Sequence, residues 1–335
     1  MPTDPPPPRG SEPVAPDSPS PAPRWTAEPA PAWTTPAGEP ARPAYDPLAT
    51  PPTDQGPYPP DDDAEPPTEY GLLTRLGAEA FGTFALVLVV VGTLLYGTTF
   101  FNTPSELGAL GTSLAAGLAL IGLYGAFVHV SGAHLNPAVS VASAIAGRIT
   151  AVDAAFYVVA QLIGGALAAT VLYATIPVQL ATMAGADGPA GFLAKTANGW
   201  GEASALSVLS SGQVEFGLVA ALLVETLGSA ILVGVVLAGR PSARSATAVG
   251  ATYGALILLA APITGGGFNP ARSTAVALLS IGSGAPAIGQ LWLFWVAPLV
   301  GGMLAGLAKL AFGLRERAPL GTVPDLDEDA EAREV

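Results

Sequence analysis

From residue 71 onward the chain alternates long apolar stretches with short polar breaks. Six stretches, about 74–96, 107–130, 152–175, 214–238, 245–263 and 287–311, reach or approach the roughly 20 residues that a helix needs to span a bilayer. Two shorter segments, 136–147 and 269–281, follow the second and fifth stretches. At about 1.5 Å per residue each makes a helix of roughly 15–20 Å, half the hydrocarbon thickness. Segments that short do not cross. They read as re-entrant half-helices, tolerated in a membrane only where protein or a water-filled cavity surrounds them. The pattern predicts an all-α membrane protein with six transmembrane helices and two re-entrant half-helices.

The two halves resemble each other. Ala78-Glu79-Ala80-Phe81-Gly82-Thr83 in the first stretch matches Val224-Glu225-Thr226-Leu227-Gly228-Ser229 in the fourth. Asn136-Pro137-Ala138 and Asn269-Pro270-Ala271 open the two short segments. Ala160-Gln161-Leu162-Ile163-Gly164-Gly165 pairs with Ala297-Pro298-Leu299-Val300-Gly301-Gly302. Three spans per copy is an odd number, so the second copy enters from the opposite side. This is an inverted three-plus-three repeat, with a functional site expected at the midplane between the halves. The many Gly and Ala in the spans suit close helix packing in lipid.

Charge sharpens the division of the chain. Twenty-three of the 34 prolines lie in residues 1–70, with 12 Asp/Glu against three Arg. Such a segment cannot bury enough apolar surface to offset its ordering entropy, so 1–70 is expected to be a disordered, Pro-rich acidic tail. Pro57-Tyr58-Pro59-Pro60 offers a docking motif, but a solvated tether is the simpler reading. No basic, then apolar, leader opens the chain. Residues 312–335 read as a second acidic tail, with seven acids and three bases. The membrane body, 71–311, is neutral, with seven of each sign. Arg75, Arg148, Arg240, Arg244, Lys309, Arg315 and Arg317 all fall on one side of a six-span layout, against Lys195 on the other. That bias predicts a multi-pass plasma-membrane protein with both termini cytoplasmic. Trp292 and Trp295 would then open the sixth span in the outer aromatic belt.

Composition excludes several functions. An acidic chain without a basic cluster argues against a nucleic-acid partner. No Cys and only two His leave no metal cluster to expect, and no cofactor motif stands out. Gly265-Gly266-Gly267 lacks the Lys and Ser/Thr of a phosphate-binding loop. No nucleophile–base pair or paired-carboxylate site is visible, so no catalytic residue and no enzyme is expected.

The chemistry concentrates in the two Asn-Pro-Ala triplets. Asn is a favoured N-cap and Pro is pre-organised for the first helical position. Each half-helix N-terminus carries roughly +0.5 charge and unpaired N–H groups. Inversion brings the two positive ends together near the bilayer centre, with the Asn136 and Asn269 amides directed at the lumen. A passing water accepts from both amides, which turns its protons outward and interrupts a proton wire, while cations meet a positive barrier. One such triplet is an ordinary capped turn; two, at matching places in an inverted repeat, are specific.

On Ser131-Gly132-Ala133-His134-Leu135-Asn136-Pro137-Ala138-Val139 and Phe268-Asn269-Pro270-Ala271-Arg272-Ser273 the chain resembles the aquaporin (major intrinsic protein) family, over essentially all of 71–311. The resemblance implies passive bidirectional conduction of water or small uncharged solutes, one pore per protomer, and a homotetramer in a lipid bilayer. It also implies an outer filter of Arg272, Gly266, Ile257 and Ala116. An intramembrane Arg is costly enough to favour a pore role over a purely structural one. Water-selective members resemble Phe, His and a small residue beside the Arg; glycerol channels resemble Trp, Gly and Phe. Ala116, Ile257, Gly266 and Arg272 look instead like the filter of plant boric-acid and metalloid channels, whereas Ser273, Ala277 and Phe294-Trp295 look like orthodox aquaporins. The expected solutes are therefore water with glycerol, urea, or boric or arsenous acid; the alternative is a strictly water-selective pore.

Glu79 and Glu225 sit at equivalent places in the repeat, and each is costly in lipid. A proton relay is one reading. The resemblance implies the other: the carboxylates accept from backbone N–H groups of the re-entrant loops. His134, His129 and Gln161 read as packing residues. An ion-coupled transporter would use similar inverted repeats, but the half-helix starts offer only amides and one Arg. An ion channel would want a carbonyl ladder or charged ring.

Overall fold

The computed structural model describes residues 70–97, 106–239 and 241–317. The expectations for the tail 1–70, apart from Tyr70, for Arg240, and for residues 318–335 lie outside the described residues. The apolar stretches fold as α1 (Leu72–Gly97), α2 (Glu106–Phe127), α4 (Ala151–Thr175), α8 (Leu218–Ala238), α9 (Ala243–Ala260) and α12 (Leu293–Arg317). The short segments fold as α3 (Pro137–Ile145) and α10 (Pro270–Leu279). Six helical segments among the described residues are long and apolar enough to cross a membrane. Among the described residues the only β pairing is an isolated bridge between Gly201 and Phe216.

Packing follows the repeat. α1 lies against α4 as α8 lies against α12; α3 packs on α12 as α10 packs on α4; α2 and α9 meet each other. Small residues permit these contacts. A Cβ on Gly164 would collide with the Ala80 carbonyl oxygen, and one on Gly301 with the Thr226 carbonyl oxygen. Without a hydrophobic force between helices in lipid, such backbone approach is what gives them contact area. Large apolar side chains such as Leu118, Val159, Leu227 and Leu304 point outward and are exposed, as expected of surfaces facing lipid or another protomer.

Three differences from the sequence pattern have local causes. The segment 176–213 contains three short helices, α5 (Val178–Met183), α6 (Gly188–Ala194) and α7 (Ala205–Leu209). Phe192 and Leu193 are buried with α4 and α10 residues such as Leu172 and Val276, which anchors this connection to the body. The sixth stretch breaks into α11 (Ala287–Gln290) and α12. Gln290 is committed at that break: its Oε1 accepts from Trp200 N at 2.9 Å and its Nε2 donates to Trp200 O at 3.0 Å. α12 also runs to Arg317, six residues beyond the 311 boundary read from hydropathy.

Candidate pore and filter

Asn136 and Asn269 cap the two half-helices. Asn136 is extended (φ −161°, ψ 125°) and its Oδ1 accepts from Ala138 N at 2.9 Å. Asn269 Oδ1 accepts from Ala271 N at 3.0 Å and Arg272 N at 3.4 Å. Pro137 and Pro270 each take the first helical position, where a missing N–H costs nothing. The amide nitrogens cross between halves: Asn136 Nδ2 donates to Phe268 O at 2.9 Å and Asn269 Nδ2 to Leu135 O at 2.8 Å. Each amide has two hydrogens, so these bonds fix its plane and leave one N–H for the cavity. The sequence pattern directed both amides at the lumen; it had no means of showing the cross-bonds, which join residues from opposite halves.

That cavity, about 20 Å³, is lined by both asparagines and by Leu86, Leu120, Leu232 and Tyr253. It has room for about one water, which needs roughly 10–15 Å³ on this measure. A second cavity of about 230 Å³ continues past His134 to Tyr124, Ser143 and Arg148. Arg148 donates to the carbonyls of Val236 and Leu237 at the C-terminal end of α8. That placement suits a cation, since the end of a helix presents unpaired carbonyls.

The re-entrant loops hang on the two buried glutamates. Glu79 Oε1 accepts from Ser131 Oγ at 2.6 Å and His134 N at 2.9 Å; its Oε2 accepts from Leu135 N at 2.7 Å and Gln161 Nε2 at 2.8 Å. Glu225 Oε1 accepts from Thr264 Oγ1 at 2.5 Å and Gly267 N at 2.8 Å, while its Oε2 has no partner among the described residues. The asymmetry traces to the repeat itself. Gln161 of α4 corresponds to Pro298 of α12, whose ring has no side-chain donor. Gln161 also donates to Ser140 Oγ at 2.9 Å, and Ser140 lies 3.1 Å from His134 Nδ1. His134 packs edge-on against Tyr157 and lines both cavities, so it is more than loop packing; His129 is exposed.

An unequal response to amide substitution follows. Glu79→Gln keeps two of four accepted bonds and turns an NH2 toward the other donors, at about 1–3 kcal/mol for each buried group left unpaired. Glu225→Gln can retain both bonds on its oxygen and place the NH2 where Oε2 is unpartnered. Thermal unfolding in detergent should therefore show a large loss for Glu79→Gln and a small one for Glu225→Gln. Equal losses would contradict this geometry.

Of the four positions expected to form the outer filter, the structure brings Ile257 and Gly266 into direct proximity: a Cβ on Gly266 would lie 2.7 Å from Ile257 Cδ1. Gly266 has φ +69°, a conformation that only glycine adopts freely. Ala116 is fully buried in the same apolar cluster as Ile257, with no contact to Gly266 or Arg272 among those described. Arg272 is buried on the first turn of α10, its guanidinium held by the segment before α7. Nη2 donates to Thr196 O at 3.0 Å and Nη1 donates to Asn198 Oδ1; Nε has no partner among the described residues.

Asn198 is the residue that sequence reasoning missed. Its Oδ1 also accepts from Ser273 Oγ at 2.8 Å, and its Nδ2 donates to Thr264 O at 3.0 Å. It thus ties Arg272 to the loop that Glu225 braces. Asn198 has no counterpart in the repeat and no periodic pattern around it, so no sequence signal marked it. Tyr253 was also missed, although it stands one helical turn before Ile257 on the same face of α9.

Six membrane-capable helices around two half-helices, joined at their capped N-termini beside a narrow cavity, define a transmembrane channel of inverted-repeat design. The family model for the major intrinsic proteins matches residues 68–309, and the chain belongs to that family. It is 35% identical over 250 residues to an aquaporin Z from Photorhabdus laumondii, covering 73% of this chain and 100% of the relative. It is 37% identical over 241 residues to an aquaporin Z from Brucella melitensis, covering 70% and 96%. The X-ray structure of the aquaglyceroporin from Plasmodium falciparum matches with TM-score 0.53 at 20% identity, over 75% of this chain and 98% of that one. That likeness carries the fold alone. As a member of this family the chain is a channel, not an enzyme.

Proposed function

We propose that the chain is a passive pore for water and small neutral solutes (glycerol, urea, boric or arsenous acid) that excludes protons and other ions. The observation that carries this is the pair of half-helix N-termini meeting through Asn136 and Asn269, with Pro137-Ala138 and Pro270-Ala271 starting each helix. Two partial positive ends and a buried Arg272 repel cations, while one free N–H per asparagine offers a donor to neutral solutes. Ala116, Ile257, Gly266 and Arg272 form the outer filter in this reading. Small Ala116 and Gly266 widen it, and Ile257 supplies an apolar wall. Glu79 and Glu225 brace the loops that carry the asparagines.

The body is assigned to a plasma membrane as a homotetramer, with both termini cytoplasmic. Arg75, bonded to Asp153 at 3.3 Å, and Arg148 support the orientation, since both lie at the end where α1 and α4 begin. The narrow central cavity favours a second reading, a strictly water-selective pore. Liposomes carrying the full chain, placed in equal-osmolarity gradients of glycerol, urea and boric acid, distinguish the two. Solute-driven swelling above that of protein-free liposomes is the expected result; swelling with water while rejecting all three solutes would overturn the wide-filter reading.

A further inference from the structure

The two halves are not mirror copies where they line the central cavity. The interval from Asn136 to Asn269 carries Leu120 of α2 onto Tyr253 of α9, and both side chains face that cavity. A second leucine would complete a symmetric apolar wall. The chain instead places an aromatic ring there, only 2% exposed, packed in the same cluster as Leu86, Leu120 and Leu232. The Tyr253 hydroxyl makes no hydrogen bond to the described protein and is not among the side-chain oxygens shut off from the cavity. A buried hydroxyl without a protein partner needs another one, and the cavity is what remains.

Position gives this ring its consequence. Tyr253 precedes Ile257 by one turn on α9, about 6 Å further toward the middle of the membrane at 1.5 Å per residue. A solute that passes Ala116, Ile257 and Gly266 then meets Tyr253 in the cavity it shares with Asn136 and Asn269. In this reading the outer filter has two small members, Ala116 and Gly266, whereas the cavity at Tyr253 is only about 20 Å³.

We propose that Tyr253, rather than the outer filter, sets the size limit of this pore, and that its hydroxyl exchanges hydrogen bonds with solutes as they leave Arg272 and approach Asn269. The ring narrows the lumen from the α9 side; the hydroxyl supplies one donor and one acceptor on walls that, apart from Asn136, Asn269 and His134, are leucine, valine and alanine. This rests on the reading of the chain as a pore for water and small neutral solutes, and it names the residue that discriminates among them.

The test uses full-length chain in liposomes and reads the ratio of glycerol to water permeability, which is independent of how much protein inserts. Tyr253→Ala should raise that ratio on the order of tenfold, equivalent to ~1.4 kcal/mol of barrier. Tyr253→Leu, which copies the residue of the other half and keeps the wall apolar, should raise it less. Tyr253→Phe should leave the size limit in place and lower water permeability severalfold, because only the hydroxyl is lost. Unchanged ratios in both the Ala and Leu variants would overturn the inference; if Ala fails to fold, Leu alone decides. A native chain that conducts neither water nor solute above protein-free liposomes would instead overturn the pore reading itself. A native chain that passes only water, with glycerol admitted by the Ala or Leu variant, would support the role of Tyr253 while removing glycerol from the native solutes.

Discussion

Replacing Ala116 with Phe and Ile257 with His together should cut glycerol, urea and boric acid permeability by about tenfold or more, a barrier increase of at least ~1.4 kcal/mol, while water still passes. The expected effect comes from volume and polarity at the proposed outer filter. Ala116 is fully buried where α2 approaches α9, and Phe there adds a ring to a position now holding one methyl group. Ile257 lies against Gly266, which contributes no side chain there. His at 257 exchanges an apolar wall for a polar group beside Gly266, which favours the smallest hydrogen-bonding solute. Stopped-flow light scattering with each solute measures the effect. Unchanged solute-to-water ratios would remove these positions from the filter.

Replacing Arg272 with Val should leave the channel folded and water-permeable but raise its proton leak at least about tenfold. The fold should survive because Asn198 remains held by Ser273 and Thr264 after the guanidinium is gone. The exclusion should not, because the full positive charge of the proposed outer filter goes with it, leaving there the partial charges of two helix ends. Arg272→Lys separates charge from shape. An ammonium keeps the charge but not the planar fork that engages Thr196 and Asn198 together. Lys should therefore preserve ion exclusion and alter the solute panel. A Val variant as proton-tight as the native chain would show that the helix ends alone suffice.

Much of this architecture was legible in the chain because it repeats. Asn136-Pro137 and Asn269-Pro270 mark helix starts by capping chemistry, and the six apolar stretches mark spans by length. The Gly164 and Gly301 contacts are foreshadowed by the paired Gly-Gly sequences. Even the unequal bracing of Glu79 and Glu225 is written as Gln161 against Pro298. What escaped were features without a periodic or repeated signature. The helices within 176–213 are too short for a hydrophobic period to declare itself. Asn198 acts through tertiary contacts with Arg272, Ser273 and Thr264, far away in sequence. The break before α12 depends on Gln290 reaching Trp200, again a long-range bond. The cross-bonds of Asn136 and Asn269 belong to the same class: the residues were visible, but their partners lie in the opposite half.

The central claim is that two asparagine-capped helix ends and a tethered arginine make a pore that passes neutral molecules and stops ions. Measuring osmotic water permeability and proton conductance on the same liposomes tests it most directly. The expected result is water flux well above that of protein-free liposomes, linear in the osmotic gradient, independent of any ion gradient, and without added proton or cation conductance. Flux that collapses with an ion gradient, or that carries measurable current, would contradict it.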